Sequence, residues 1–353
     1  LFGTVPLIGI NAGYCFAGNA AILGCCDVVI ATKDSNIGMG GPAMIEGGGL
    51  GVYAPTEVGP TEVQQVSGVI DIVADDEAHA TTLAKRYLSY FQGPTAGWSC
   101  ADQARLRDVV PVDRMRGYDV HNAIALLFDT GSVLELRCDF GDGMITALAR
   151  VEGRPVGVIA NNPAHLAGAI DSDGSDKAAR FMQLCDAHGL PIITLVDTPG
   201  MMVGPEVEAT ALVRHCSRLF VTGANVSVPM ISVVLRKSYG LGAQAMMGGS
   251  TKAPLACVSW PTGEFGGMGL EGAVRLGYRK ELEQCADDAA RDALFRELVD
   301  RLYELGKALR VAEFFEIDDV IDPADTRRWI TMLLESALPR APGHVARPNI
   351  DTW

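Results

Sequence analysis

The chain is poor in basic residues: 29 Lys and Arg stand against 43 Asp and Glu, for a net charge of −14. Nucleic-acid phosphates are bound through basic faces, so this deficit argues against such a partner. It leaves room for a local basic patch against a CoA-like phosphate. No uninterrupted apolar run reaches membrane-spanning length, and no membrane partner is expected. The nine cysteines contain no C-x-x-C pair, and the adjacent Cys25 and Cys26 do not suit one tetrahedral site. Their odd number, apolar neighbours and the lack of a signal peptide point to reduced thiols and a cytoplasmic location. The six histidines are isolated, with no H-E-x-x-H or similar spacing, so no metal is expected. Asp197-Thr-Pro-Gly200 imitates the D-x-x-G element of GTPases, but the companion G-x-x-x-x-G-K-S/T loop is missing. The absence of a G-x-S-x-G elbow removes the serine-hydrolase option. A first residue that is Leu1 rather than Met reads as a piece of a longer polypeptide, lacking its front.

What the chain does contain is a repeat. Val5-Pro-Leu-Ile-Gly-Ile-Asn-Ala-Gly-Tyr14 leads through Cys15 and Phe16 into Ala17-Gly-Asn-Ala-Ala21. Val228-Pro-Met-Ile-Ser-Val-Val-Leu-Arg-Lys-Ser-Tyr239 leads into Gly240-Leu-Gly-Ala-Gln-Ala-Met246. Each copy is a Val-Pro step, an apolar strand, a polar turn with tyrosine, and a Gly/Ala-rich helix start. Val5 and Val228 are 223 positions apart, and Tyr14 and Tyr239 are 225 apart. A unit of that length is a domain, not a solenoid repeat. A helix N-terminus presents unpaired N–H groups and partial positive charge, and small residues let a ligand oxygen approach. That is the composition of an oxyanion hole. A single such turn reads as structural, since strand–glycine–helix turns are common. Two in matching context read as a pair of oxyanion sites for a reaction with two developing oxyanions.

The length suggests two domains. Strands are expected at 5–10 and 28–31 around a helix at 17–25, followed by a Gly-rich turn, short helix and loop over 38–51. A helix is expected at 76–91, capped by Asp75 or Asp76. Residues 92–117, with Pro94, Gly97, Pro111 and many charges, read as a linker, which divides the chain into 1–117 and 118–353. Beyond it come a helix at 118–128 and strands at 144–151, 155–160 and 191–196. Hairpin turns are expected at Gly141-Asp142-Gly143 and Gly153-Arg154. Helices follow at 175–188, 206–223 and 286–310, then an extended Pro-rich tail from Pro339. Alternating strands and helices in repeated halves imply an α/β fold.

Gly18-Asn-Ala-Ala-Ile-Leu-Gly-Cys-Cys-Asp27-Val-Val-Ile-Ala and Gly38-Met-Gly-Gly-Pro42 resemble the crotonase superfamily. The two glutamates of its hydratases fall at Ala21 and Ala43, which cannot move a proton, so a hydratase mechanism fails. Gly157-Val-Ile-Ala-Asn-Asn-Pro163, Lys177-Ala-Ala-Arg-Phe181, Val196-Asp-Thr-Pro-Gly200, Arg236-Lys-Ser-Tyr-Gly240 and Trp260-Pro-Thr262 resemble the carboxyltransferase component of biotin-dependent acyl-CoA carboxylases. The likeness runs over roughly residues 5–330.

That resemblance implies two tandem crotonase-like domains of stacked β-β-α units, the first truncated at its front. It implies transfer of the carboxyl group from carboxybiotin, brought by a carrier domain, to the α carbon of an acyl-CoA. The freed biotin ureido nitrogen takes the α-proton, so no side-chain base is needed. Backbone N–H groups of Ala17 and Gly18 would hold the thioester oxygen, and those of Gly242 and Ala243 the biotin oxygen. Gly41, Gln244 and Ala245 are implied at the acyl-CoA, and Tyr239, Gly240 and Leu241 at the biotin. Propionyl-type members read Tyr-Gly-Gly-Ala-Tyr-Asp at the second turn, and with its different turns and the Gly38–Gly51 loop this chain is more similar to the carboxyltransferase part of multidomain long-chain acyl-CoA carboxylases. Ala245 is placed at the aspartate that influences acyl-chain choice, which implies a longer acyl chain. The implied partners are biotin carboxyl carrier and biotin carboxylase units, and a homo-oligomer with its active site between subunits. A biotin-dependent decarboxylase running the step backwards, and a non-catalytic scaffold binding acyl-CoA or carrier, stay open.

Overall fold

The computed structural model describes residues 3–114, 116–337 and 350–353. In chain order, the first part holds strands β1 (Ile8–Asn11) and β2 (Tyr14–Phe16), helix α1 (Gly18–Gly24), β3 (Val28–Thr32), β4 (Asn36–Gly38), α2 (Pro42–Gly47), α3 (Thr61–Val66), β5 (Ile72–Ala74) and α4 (Glu77–Ser89). The second holds α5 (His121–Leu127), β6 (Leu134–Leu136), β7 (Met144–Val151), β8 (Arg154–Asn161), α6 (Ser172–His188), β9 (Ile192–Thr198), α7 (Pro205–Glu208), α8 (Leu212–Asn225), β10 (Met230–Tyr239) and α9 (Gly240–Met246). It ends in β11 (Ala256–Ser259), β12 (Glu264–Gly266), α10 (Leu270–Gly277), α11 (Arg279–Glu283), α12 (Asp288–Gly306), α13 (Ala308–Glu313), β13 (Asp319–Val320) and α14 (Thr326–Ser336). This is the expected mixed α/β order. The Pro-rich tail from Pro339 lies outside the described residues as far as 349.

Strands β1, β3 and β5 form a three-stranded parallel sheet, and β2 and β4 a two-stranded one. An eight-stranded sheet runs β13-β11-β10-β9-β8-β7-β6, with β12 paired to the far end of β10. Its β9, β10 and β11 are buried at nearly every position, as parallel strands covered on both faces must be.

The repeat is visible in the ladders. Ile8 pairs with Val28, and Ile231 pairs with Ala256. Phe16 pairs with Gly38, and Tyr239 pairs with Gly266. Both first-strand residues move by 223 positions between copies, and both second-strand residues by 228. Phe16, not Tyr14, is therefore the counterpart of Tyr239. The tyrosine match in sequence is two residues out of register.

Three expectations change. Residues 92–117 do not hang free: Leu106 and Val110 are buried with Ile124, Val156 and Ile330 of the second part. The apolar spacing of that segment is hidden among prolines and charges. The expected helix at 206–223 is two helices, broken at Ala211, whose φ is 62°. The expected helix at 286–310 breaks at Lys307. Asp76, one of the two expected caps, does cap α4 through the His79 N–H at 2.7 Å, whereas the β7–β8 hairpin turns at Glu152-Gly153, one residue before the expected Gly153-Arg154.

The two parts share one core. Val28, Ile30, Ala80 and Tyr87 pack with Phe181, Cys185 and Leu148. Buried polar contacts cross the same seam: Asp71 with Arg137 at 2.9 Å, and Arg180 donating to the Asp27 carbonyl at 2.9 Å.

Candidate active site

At the first turn, β2 ends in Phe16 and the chain swings into α1 through Ala17, with φ 56° and ψ −125°. This left-handed conformation is costly for a residue with a Cβ. The Ala17 N–H is not available to a ligand, because it donates to the Gly38 carbonyl at 3.1 Å. That bond extends the β2–β4 ladder by one step. The N–H groups of Gly18 and Asn19 have no partner among the described residues, and no side chain caps the helix. Both residues are exposed, and so is Ala21 on the same helix. Gly41 is the extended residue just before α2, and a Cβ there would lie 3.1 Å from the Phe16 ring.

At the second turn, β10 ends in Tyr239 and the chain enters α9 through Gly240, with φ 57°. The strand register makes Gly240 the counterpart of Ala17, and their φ values agree within 1°. Gly18 then corresponds to Leu241, Asn19 to Gly242, and Ala20 to Ala243. The two donor pairs expected from the sequence are thus out of step with each other. The equivalent pairs are Gly18–Asn19 and Leu241–Gly242. Ala243, like Ala20, is a buried position behind the pair.

The environment of the second turn corrects two further expectations. Ala245 is 0% exposed, in the core with Met246 and Met247, and offers no surface to an acyl chain. Its neighbour Gln244, on the outer face of α9, is exposed. The Tyr239 ring is buried against Leu270, Val274 and Leu282, so it anchors α10 and α11 and exposes almost none of its own surface. Burial pushes its hydroxyl pKa well above the usual tyrosine range. Gly240 and Gln244 border a cavity of about 390 Å³ whose lining combines apolar Ala243, Met247, Phe265 and Val311 with polar Ser238, Thr251 and Glu316. Leu241 stands exposed beside it.

No residue of the first turn lines that cavity. Helix α1 packs on β1 and β2, and α9 on β9, β10 and α8. One chain therefore carries the two turns against different sheets. Among the described residues, no group of three His, Cys, Asp or Glu side chains could hold a metal ion, and no helix is long and apolar enough to cross a membrane.

Sequence reasoning missed Asn19 and Gly200. The signal for Asn19 was the alignment of Phe16 with Tyr239, which only the ladder reveals. Gly200 ends a string dismissed as a GTPase look-alike, yet it backs the second turn. A Cβ on Gly242 would lie 2.6 Å from the Gly200 carbonyl carbon.

A family described as carboxyl transferase domain matches residues 1–346. The chain is 37% identical over 345 residues to the methylmalonyl-CoA carboxyltransferase 12S subunit of Propionibacterium freudenreichii subsp. shermanii, covering 95% of the chain and 65% of that protein. It is 33% identical over 346 residues to the biotin-dependent long chain acyl-coenzyme A carboxylase beta4 subunit of Mycobacterium tuberculosis, covering 93% and 65%. The chain thus spans about two thirds of the length of these relatives. Among solved structures, it resembles a single-chain, multi-domain long-chain acyl-CoA carboxylase, with 59% identity and a TM-score of 0.89 over 94% of this chain and 33% of that one. It also resembles the hexameric transcarboxylase 12S with methylmalonyl-CoA bound, with 34% identity and a TM-score of 0.86 over 98% and 69%.

Proposed function

The chain belongs to the carboxyl transferase domain family, and from that premise we propose that it is the carboxyltransferase part of a biotin-dependent acyl-CoA carboxylase. It forms two crotonase-like domains, with the division at about 117/118 and the preceding segment folded back on the second. The observation that carries the reading is the pair of equivalent turns, each with a left-handed entry residue that opens a helix whose N-terminus no side chain caps.

The first pair, Gly18 and Asn19, holds the thioester oxygen of the acyl-CoA. As the α-proton leaves, charge moves onto that oxygen, and the two N–H groups stabilise the enolate. The second pair, Leu241 and Gly242, holds the ureido oxygen of biotin. A largely uncharged bicycle with one polar edge suits the mostly apolar cavity bordered by Gly240 and Ala243, the residues on either side of that pair. Biotin, carried on a separate domain, supplies the carboxyl group and a ureido nitrogen that accepts the α-proton. Ala21 and Ala43, where hydratases use glutamates, therefore need not titrate. Donors fixed in place before the reaction begins need no reorganisation as charge develops, which is why such turns lower a barrier so effectively.

With the two turns packed against different sheets of one chain, the complete site forms between the first domain of one subunit and the second of another. The protein is accordingly a homo-oligomer that works with biotin carrier and biotin carboxylase units. Exchange of radiolabelled carboxyl between a malonyl-type CoA and biotin tests the reading. Transfer that needs both substrates is expected. No exchange from a folded, oligomeric protein would leave only a binding scaffold.

A further inference from the structure

The second turn is aimed by a break in β10. From Met230 to Val234 that strand pairs with β9 in steady register, ending at Val234 opposite Val196. The next pair is Ser238 opposite Thr198. Four steps along β10 therefore match two along β9, and Asp197 alone faces Leu235, Arg236 and Lys237. The extra length lets β10 leave β11 and pair with β12 from Lys237 to Tyr239, immediately before the donor turn.

A bulge of this size strands backbone N–H groups inside the sheet, and a buried unpaired group costs about 1–3 kcal/mol. The Asp197 side chain fills the gap. Its Oδ1 accepts the Lys237 N–H at 3.0 Å, and its Oδ2 accepts from Arg236 Nε at 3.2 Å. The carboxylate is 0% exposed and Arg236 is 3% exposed. Arg236 also donates to the Arg116 carbonyl at 2.7 Å and lies 4.9 Å over the Tyr118 ring. The Asp197 N–H is held by Asn161 Oδ1 at 3.1 Å. Three residues on, Gly200 forms the floor on which Gly242 sits. One short segment thus fixes both the strand that enters the turn and the surface beneath it.

We infer that Asp197 is a positioning residue for the second donor turn. It replaces the missing ladder acceptor at Lys237, and so sets where the Leu241 and Gly242 N–H groups point. This role rests on the second turn being an oxyanion site. The first turn is built without a carboxylate. There the strand break between β1 and β2 is held by Asn36 N–H on the Gly13 carbonyl and Ser35 Oγ on the Asn11 carbonyl.

The test compares two double variants in the complete carboxylase, D197A/R236M and D197N/R236M. Both remove the buried charge pair, but only asparagine keeps an oxygen at the Lys237 N–H. The assay is carboxyl transfer from a malonyl-type CoA to free biotin. D197A/R236M should lose about 10²-fold in kcat, the cost of a donor misplaced by about an ångström, with KM for the acyl-CoA within about twofold. D197N/R236M should stay within about fivefold of wild type, since its amide oxygen still accepts from the backbone. If D197A/R236M does not fold, D197S/R236M replaces it with the same expected loss, since the serine hydroxyl is too short to reach. A merely structural ion pair would lower thermal stability in both variants and leave their kcat values equal, and that result overturns the inference. Absence of transfer in the wild-type enzyme would instead overturn the assignment of the turn.

Discussion

Replacing Gly242 with alanine should damage the second oxyanion site by displacement. The Cβ would stand 2.6 Å from the Gly200 carbonyl carbon, 2.7 Å from its Cα and 3.0 Å from its oxygen. All three are backbone atoms and cannot rotate aside. Carbon–carbon contact is comfortable at about 3.5–4.0 Å, so either the start of α9 or the Gly200 loop must move by roughly 1 Å. Overpacking of this kind costs about 1–3 kcal/mol in stability. A donor displaced by about 1 Å costs about 10²-fold in turnover, and one lost outright about 10²–10³-fold. Gly242→Ala should therefore show a lower thermal midpoint together with a kcat for biotin carboxylation reduced at least about 10²-fold. Gly18→Ala is the control for packing: nothing lies within 4 Å of its Cβ, so stability should change by no more than about 0.5 kcal/mol. A Gly242→Ala protein with wild-type midpoint and kcat would refute the account of how α9 is seated.

Four further outcomes are expected. Burial lowers the Lys177 pKa to about 8, with its Nζ donating to the Phe140 carbonyl at 2.7 Å. Between that value and the unfolded value of about 10.4 the unfolded chain binds more protons, so this group makes stability rise with pH across that window. Urea midpoints followed from about pH 7 to about pH 10 should climb less in Lys177→Met, and an unchanged slope would remove the buried-lysine explanation. For His121, burial works against the charged form, but the Asp119 hydrogen bond and the Glu135 charge outweigh it and raise the pKa. Its stabilisation is complete below about pH 6.5 and fades as pH rises through the folded value; an NMR titration showing a lowered pKa would contradict this. His121→Ala should leave kcat within about threefold, because no proton transfer is assigned to it. Asp71→Asn strands the Arg137 guanidinium, 6% exposed, at the seam between the two parts. A loss of about 3–5 kcal/mol in chemical denaturation is expected, and a loss below about 1 kcal/mol would show that the seam does not depend on this pair.

The amino-acid order alone determined the α/β class, the duplication and the two Gly/Ala helix starts, because strand runs, Val-Pro steps and small residues at helix entries are local features. The α4 cap, as Asp75 or Asp76, and the β7–β8 hairpin, to within one residue, were legible for the same reason. The helix break at Ala211 was not, since no proline or glycine marks it, and the one at Lys307 carries only Gly306, the last residue of α12, as its signal. The donor residues themselves were decided only by tertiary structure. Which N–H of a turn is free depends on what the others bond: the Gly38 carbonyl takes Ala17's, and the β2–β4 ladder that brings it there joins residues more than twenty positions apart. Ala245 and Gln244 are neighbours in sequence, and only the packing of α9 sends one into the core and the other to the cavity. Asp197 carries no local sign of its task. Its carboxylate meets Lys237 across a bulge forty residues away, and a hydrogen bond of that kind exists only once both strands lie in one sheet.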